Sequence, residues 1–189
     1  MTDQGGYRAE FRRALNLLAE AFAIAQSKGA AVPVVVGGAD VEYHTASAVQ
    51  SADFDLVGGD DEAILGALEA VGFRRTVPGS LRNLVHPDLL IAVDLVSGSL
   101  FDGRTDRNRI VLAEIDETGS RTVPFPPVED MIADRLAQYE SAPVGVPEML
   151  EQARLLSRLA PTIDQDYLRR RIAEECSTID LLALLQEPP

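Results

Sequence analysis

Two stretches, Val34-Val35-Val36-Gly37-Gly38 and Asp53-Phe54-Asp55-Leu56-Val57, decide how this 189-residue chain is read. The first belongs to an apolar, β-branched run from Val32 to Val36 that is too short for a helix and is stopped by a glycine pair, so it predicts a buried strand. The second predicts another strand, over 54–57, with acids in alternation. Residues two apart in an extended chain project to the same face with about 6.6 Å of rise between them, so both carboxylates aim at one spot. Two acids so placed repel unless they share a cation. Hard divalent ions such as Mg²⁺ favour oxygen ligands while keeping waters and substrate phosphates. Taken alone, Asp-x-Asp also fits solvent-facing acids on a half-exposed strand.

A third acid narrows the choice. Asp94 lies within Ile91-Ala92-Val93-Asp94-Leu95-Val96, where every neighbour is apolar. A carboxylate embedded in such a strand is costly unless it is paired or metal-bound, and Arg82 in the preceding run is the alternative partner. Gly37-Gly38, directly after an apolar strand, lets backbone N–H groups approach an anion without an intervening Cβ. The same letters also suit an ordinary tight turn, the reading given to Gly58-Gly59.

Outward from these strands, Phe11, Leu15, Leu18, Phe22 and Ala25 recur at three or four residues and predict a helix over 7–28, ended near Gly29. The segment 39–50 is read as a short helix or turn. Residues 60–71 open on Asp60, Asp61 and Glu62 and continue with Ile64, Leu65, Leu68 and Val71, the order of a capped amphipathic helix. Runs at 81–86 and 89–96 flank Pro87-Asp88 and predict a hairpin. Further strands are expected over 109–115 and 121–123. After Pro124, Pro126 and Pro127 only helices follow, at 128–139, 147–159 and 164–185 with an interruption near Ser177. The expected architecture is α+β: a mixed sheet flanked by helices over residues 1–125, then a helical C-terminal subdomain over 126–189.

The formal charge of −13, from 17 basic and 30 acidic residues, opposes a broad phosphate-neutralising surface and so disfavours duplex DNA. The acidity is also local, since residues 37–72 hold eight acids and no Lys or Arg. With one cysteine, Cys176, the chain has no internal disulfide and no Cys-rich zinc site. Met1 to Tyr7 lacks the marks of a signal peptide, and no run approaches the roughly 20 apolar residues of a membrane span, so a cytoplasmic protein is expected. His44 and His86 do not form a zinc pair; His44 is assigned a local structural role. Arg104, Arg107 and Arg109, interleaved with Asp102 and Asp106, are read as a solvated loop.

In its order (strand ending in Gly37-Gly38, then Asp53-Phe54-Asp55-Leu56, then Val93-Asp94-Leu95) the chain resembles the polymerase-β-like nucleotidyltransferase superfamily, firmly over residues 32 to 96. Members carry a hydrophobic strand ending in Gly-Gly or Gly-Ser, an Asp-x-Asp or Asp-x-Glu strand, and a third acid on a later strand. The segments Val36-Gly37-Gly38-Ala39-Asp40-Val41-Glu42-Tyr43-His44 and Val128-Glu129-Asp130-Met131-Ile132-Ala133-Asp134-Arg135-Leu136 further resemble the bacterial branch related to abortive-infection toxin nucleotidyltransferases. Fourteen residues separate Gly38 from Asp53, slightly beyond the commonest family spacing. Arg135 stands where the toxin branch often has lysine.

The resemblance implies transfer of a nucleoside monophosphate from a nucleoside triphosphate, ATP among the candidates, to an acceptor hydroxyl. Two Mg²⁺ ions, or Mn²⁺ in their place, would be held by Asp53, Asp55 and Asp94. Asp94 is then the base, and Gly37 and Gly38 contact the triphosphate through the backbone. Arg82 and Arg135 are outer phosphate contacts, with an Arg135 salt bridge to Glu129 or Asp134 as the alternative. The toxin-like reading carries an RNA acceptor such as tRNA, or a protein acceptor, and a cognate antitoxin. Its alternatives are a small-molecule, antibiotic-type nucleotidyltransferase and a non-catalytic nucleotide-binding module.

Overall fold

The computed structural model describes residues 6–80, 83–96, 98–116, 118–142 and 146–186. The first helix, α1 (Ala9–Ser27), buries the predicted stripe of Phe11, Leu15, Leu18, Phe22 and Ala25. Strand β1 (Val34–Val36) passes directly into α2 (Gly37–His44), and β2 (Asp53–Val57) follows. Helix α3 (Asp61–Ala70) starts where the acid cluster predicts, with the Asp60 carboxylate accepting the N–H of Ala63 at 3.1 Å. Then come β3 (Arg74–Arg75), β4 (Leu84–Val85) and β5 (Ala92–Val96).

These strands form one mixed sheet in the order β1-β2-β5-β4-β3, in which only β2 and β5 run parallel. One sheet face is apolar: Val35, Phe54, Leu56, Leu84, Val93 and Leu95 are all buried. It packs with α1 and α3 into the first core, where the rings of Phe11 and Phe54 stack at 5.2 Å. Burying one such side chain contributes about 1.5–3 kcal/mol, and the period of two along each strand consigns the acids to the other face. A separate hairpin of β6 (Val111–Glu114) and β7 (Thr122–Phe125) adds Val123 and Phe125 to the same core.

The last third is helical: α4 (Val128–Ser141), α5 (Pro147–Leu159), α6 (Gln165–Glu175) and the short α7 (Leu181–Leu184). Met131, Ile132, Leu136, Leu150, Leu156, Leu168 and Ile172 build a second core. Val41 of α2 belongs to it, whereas Ala39 two residues earlier belongs to the first. Helix α2 therefore joins the two cores. Between α4 and α6, Arg171 and Asp130 form a fully buried ion pair at 2.6 Å, with Glu174 and Glu175 completing the guanidinium's partners. No helix among the described residues is long and apolar enough to cross a membrane.

Local differences from expectation have physical causes. Helix α2 begins two residues early, at the glycine pair, and stops at His44, because Ala46 and Ser47 take positive φ. Strand β3 carries two exposed arginines, so no hydropathy pattern announces it. The predicted hairpin is narrower than expected, with β4 and β5 joined through a segment in which Leu90 is 90% exposed.

Candidate active site

The parallel register sets Asp55 directly opposite Asp94 and Asp53 opposite Ala92. Neighbouring strands lie about 4.8 Å apart, so the two carboxylates rise side by side from one face, with Asp53 two residues along it. Asp53 is exposed and the other two are half-buried. On the other side of β2, Val36 of β1 pairs with Asp55, which brings Gly37 to the same place. Gly37 has φ +72°, and a Cβ there would stand 2.4 Å from Asp55 Oδ2. Backbone conformation and lack of space thus both demand glycine at this position. The residue before α2, Val36, has no side chain able to cap it, so its first-turn amides carry the unsatisfied, partly positive end of the helix beside the acids.

Each outer acid is oriented by a neighbour. Asn83 donates its backbone N–H to Asp94 Oδ1 at 2.5 Å. Ser51 Oγ lies 3.2 Å from Asp53 Oδ1 and 2.9 Å from the Asp53 carbonyl. Among the described residues no three His, Cys, Asp or Glu side chains are gathered closely enough to hold an ion as they stand. The donor set nonetheless suits a hard divalent cation: it is all oxygen and spread over two neighbouring strands, with the Gly37 backbone pressed against Asp55.

Glu42, on α2, is fully buried and lies outside the Asp-x-Asp and third-acid motif. It accepts Arg8 Nε–H at 2.7 Å, the Ser47 hydroxyl at 2.8 Å and the Ser51 backbone N–H at 2.7 Å. A glutamate between Val41 and Tyr43 is itself a signal, since a buried acid needs partners; which partners it finds depends on the loop path and on Arg8, 34 residues away.

Asp40 is also fully buried, and burial pushes its carboxyl up to about 6, against the opposing pull of His44. His44 Nε2 lies 3.3 Å from Asp40 Oδ1 but is directed at the Pro126 carbonyl, 3.2 Å away. The two groups thus stand at ion-pair distance, and among the described residues neither Asp40 oxygen has a well-aligned hydrogen bond. Burial pulls His44 down, but Asp40, the Pro126 carbonyl and Glu129 together hold it above its ordinary value. These contacts tie His44 to its own helix and to the Pro126 carbonyl.

Arg135 sits in the helical part, 6% exposed, with Nε 3.5 Å from Asp134 and its Nη1 donating to Gln138 Oε1 and Met149 Sδ at 3.3 Å each. Its charge is felt at Asp40, and no described bond joins it to the three acids. Arg82 lies outside the described residues. Arg104 pairs with Glu175 at 2.9 Å, and Arg109 pairs with Asp164 at 2.7 Å while its guanidinium lies over the Tyr167 ring at 4.2 Å. This cluster ties the loop to the α6 region.

No family model and no curated protein matches the chain. Among solved structures, a crystal structure of ANT(2")-Ia in complex with adenylyl-2"-tobramycin is similar over 86% of this chain and 96% of its own, with TM-score 0.51 and 14% identity. A solution structure of the antibiotic-resistance factor ANT(2")-Ia is similar over 86% of this chain and 90% of its own, with TM-score 0.49 and 16% identity. The first likeness shows the fold: a nucleotidyltransferase fold, with a five-stranded mixed sheet flanked by helices.

Two outcomes test this geometry. Gly37→Ala combines the positive φ with the collision at Asp55 and should cost about 1–2 kcal/mol or more in urea unfolding; a variant as stable as the wild type contradicts the close approach. Because His44 is held above its ordinary value, its charge adds stability that is complete below pH 6.5 and is lost as pH rises through the folded value. The melting temperature should therefore fall from pH 6 to pH 9, and His44→Gln should flatten that fall. Parallel profiles for the two proteins contradict the ion pair.

Proposed function

We propose that the chain is a Mg²⁺-dependent nucleotidyltransferase that moves a nucleoside monophosphate from a nucleoside triphosphate to a hydroxyl of a small molecule. The observation that carries this reading is the parallel pairing of Asp55 with Asp94, with Asp53 on the same face and Gly37-Gly38 opening α2 beside them. In this reading Asp53, Asp55 and Asp94 hold Mg²⁺, or Mn²⁺ in its place, which when bound supplies charge neutralisation for the triphosphate and the departing pyrophosphate. Gly37 and Gly38 present first-turn amides to the phosphates, where a dipole end favours negative charge. Asp94, oriented by Asn83, takes the proton of the acceptor hydroxyl as that oxygen bonds to the α-phosphorus and pyrophosphate leaves. Residues 1–125 are the catalytic unit and 126–189 the helical subdomain, a division supported by the two hydrophobic cores.

A small acceptor is supported by two facts. The similar fold of ANT(2")-Ia occurs with an adenylylated tobramycin, and a charge of −13 concentrates cationic small molecules while repelling RNA. A cytoplasmic setting supplies nucleoside triphosphate and Mg²⁺ together, and an antitoxin is not required. Incubating the protein with each labelled triphosphate, Mg²⁺ and, separately, tobramycin, total RNA and total protein tests the reading. Label should appear on the small molecule, and Asp53→Asn, Asp55→Asn or Asp94→Asn should lower it by about 10²–10³ or more. Label on RNA or protein instead restores the toxin-like acceptor. Unchanged labelling by all three variants removes the site.

A further inference from the structure

A side chain at position 38 is barred by a neighbour and not by the backbone. Unlike Gly37, Gly38 does not have positive φ, yet a Cβ on it would lie 2.6 Å from Ser51 Oγ and 3.2 Å from Ser51 Cβ. The serine hydroxyl thus occupies the space that a side chain at the first turn of α2 would fill. From there its one proton is shared between the Asp53 carbonyl at 2.9 Å and Asp53 Oδ1 at 3.2 Å, and its oxygen accepts the Asp53 backbone N–H at 3.4 Å.

Ser51 is itself held in place. Its N–H is bound by the buried Glu42 carboxylate, and its carbonyl accepts from Arg8 Nη2, which also bonds Glu42 Oε2 at 3.0 Å. An ion pair shielded from solvent on its Glu42 side is a stiff mount. The loop it supports is residues 45–52, between the end of α2 and the start of β2.

We infer that Ser51 is a positioning residue of the nucleotide site: mounted on the Arg8–Glu42 pair, its hydroxyl fixes the Asp53 carboxylate and stands in for the side chain that Gly38 lacks. This rests on the nucleotidyltransferase reading and adds a residue to its machinery. With Oδ1 turned to the serine, Asp53 presents its second oxygen in one direction, so a cation meets an oriented ligand.

Calorimetric binding of ATP, GTP, CTP and UTP at increasing Mg²⁺, with the melting temperature as a folding control, tests the inference on four proteins. Ser51→Ala should keep the melting temperature near that of the wild type but need about tenfold more Mg²⁺ for half-maximal binding, the effect of losing one hydrogen bond to a charged group. Ser51→Thr, which keeps the hydroxyl, should stay within about threefold of the wild type. The double variant Gly38→Ser/Ser51→Ala returns a hydroxyl to the same space and should recover most of the loss. Unchanged Mg²⁺ dependence in Ser51→Ala, or a double variant no better than Ser51→Ala, overturns the inference while leaving the wider reading standing. A wild-type protein that binds none of the four triphosphates overturns both.

Discussion

Strand β2 lies against β5 in parallel, in a register that sets Asp55 beside Asp94, and the rest of the site is arranged around that pairing. The register is fixed from the opposite face. Phe54 and Leu56 on one strand and Val93 and Leu95 on the other are buried against α1 and α3. A slip of one residue would turn the apolar pair of the slipping strand into solvent and bring that strand's carboxylates into the core. The acids thus share a face because burial of their neighbours allows no other arrangement. Their mutual repulsion is tolerated for the apolar area buried behind them.

Helix α2 carries that constraint to the other half of the molecule. Its first residue is pressed against Asp55, Ala39 enters the first core, Val41 enters the second, and Glu42 holds the returning loop. Between them Asp40 is buried with His44 as its ionic partner. One short helix therefore joins the amides at the acid face to the packing of α4 and α5. Two buried polar assemblies, Asp40–His44 and Asp130–Arg171, stand on the helical side. Such groups are costly to leave half-satisfied, which fixes how the helices meet.

The fold was largely legible because its signals were strong and local. The stripe of α1, the acid-capped start of α3 and the proline boundary before α4 each follow from periodicity or backbone chemistry and reappear in the structure. That Asp53 and Asp55 share a face is legible from alternation, but the place of Asp94 beside them is not, since it depends on a parallel crossover that no local pattern encodes. For the same reason no local pattern marks Ser51, Glu42 and Arg8 as a unit: their meeting depends on a loop path and on a contact across 34 residues of sequence. Strand β3, made of two exposed arginines, had no apolar signal to read. The resemblance to the toxin branch rests on short helical segments such as the one around Arg135, which the structure places among Asp134, Gln138 and Met149.

The central claim is that the three carboxylates on the β2–β5 face form one cation and triphosphate site. Crystals grown with Mn²⁺ and a non-hydrolysable nucleoside triphosphate analogue, with anomalous diffraction used to locate the metal, examine it most directly. The account predicts Mn²⁺ bound by oxygens of Asp53, Asp55 and Asp94, with the triphosphate against the amides of Gly37 and Gly38. Manganese and nucleotide bound elsewhere on the molecule, with the three carboxylates bare, would contradict it.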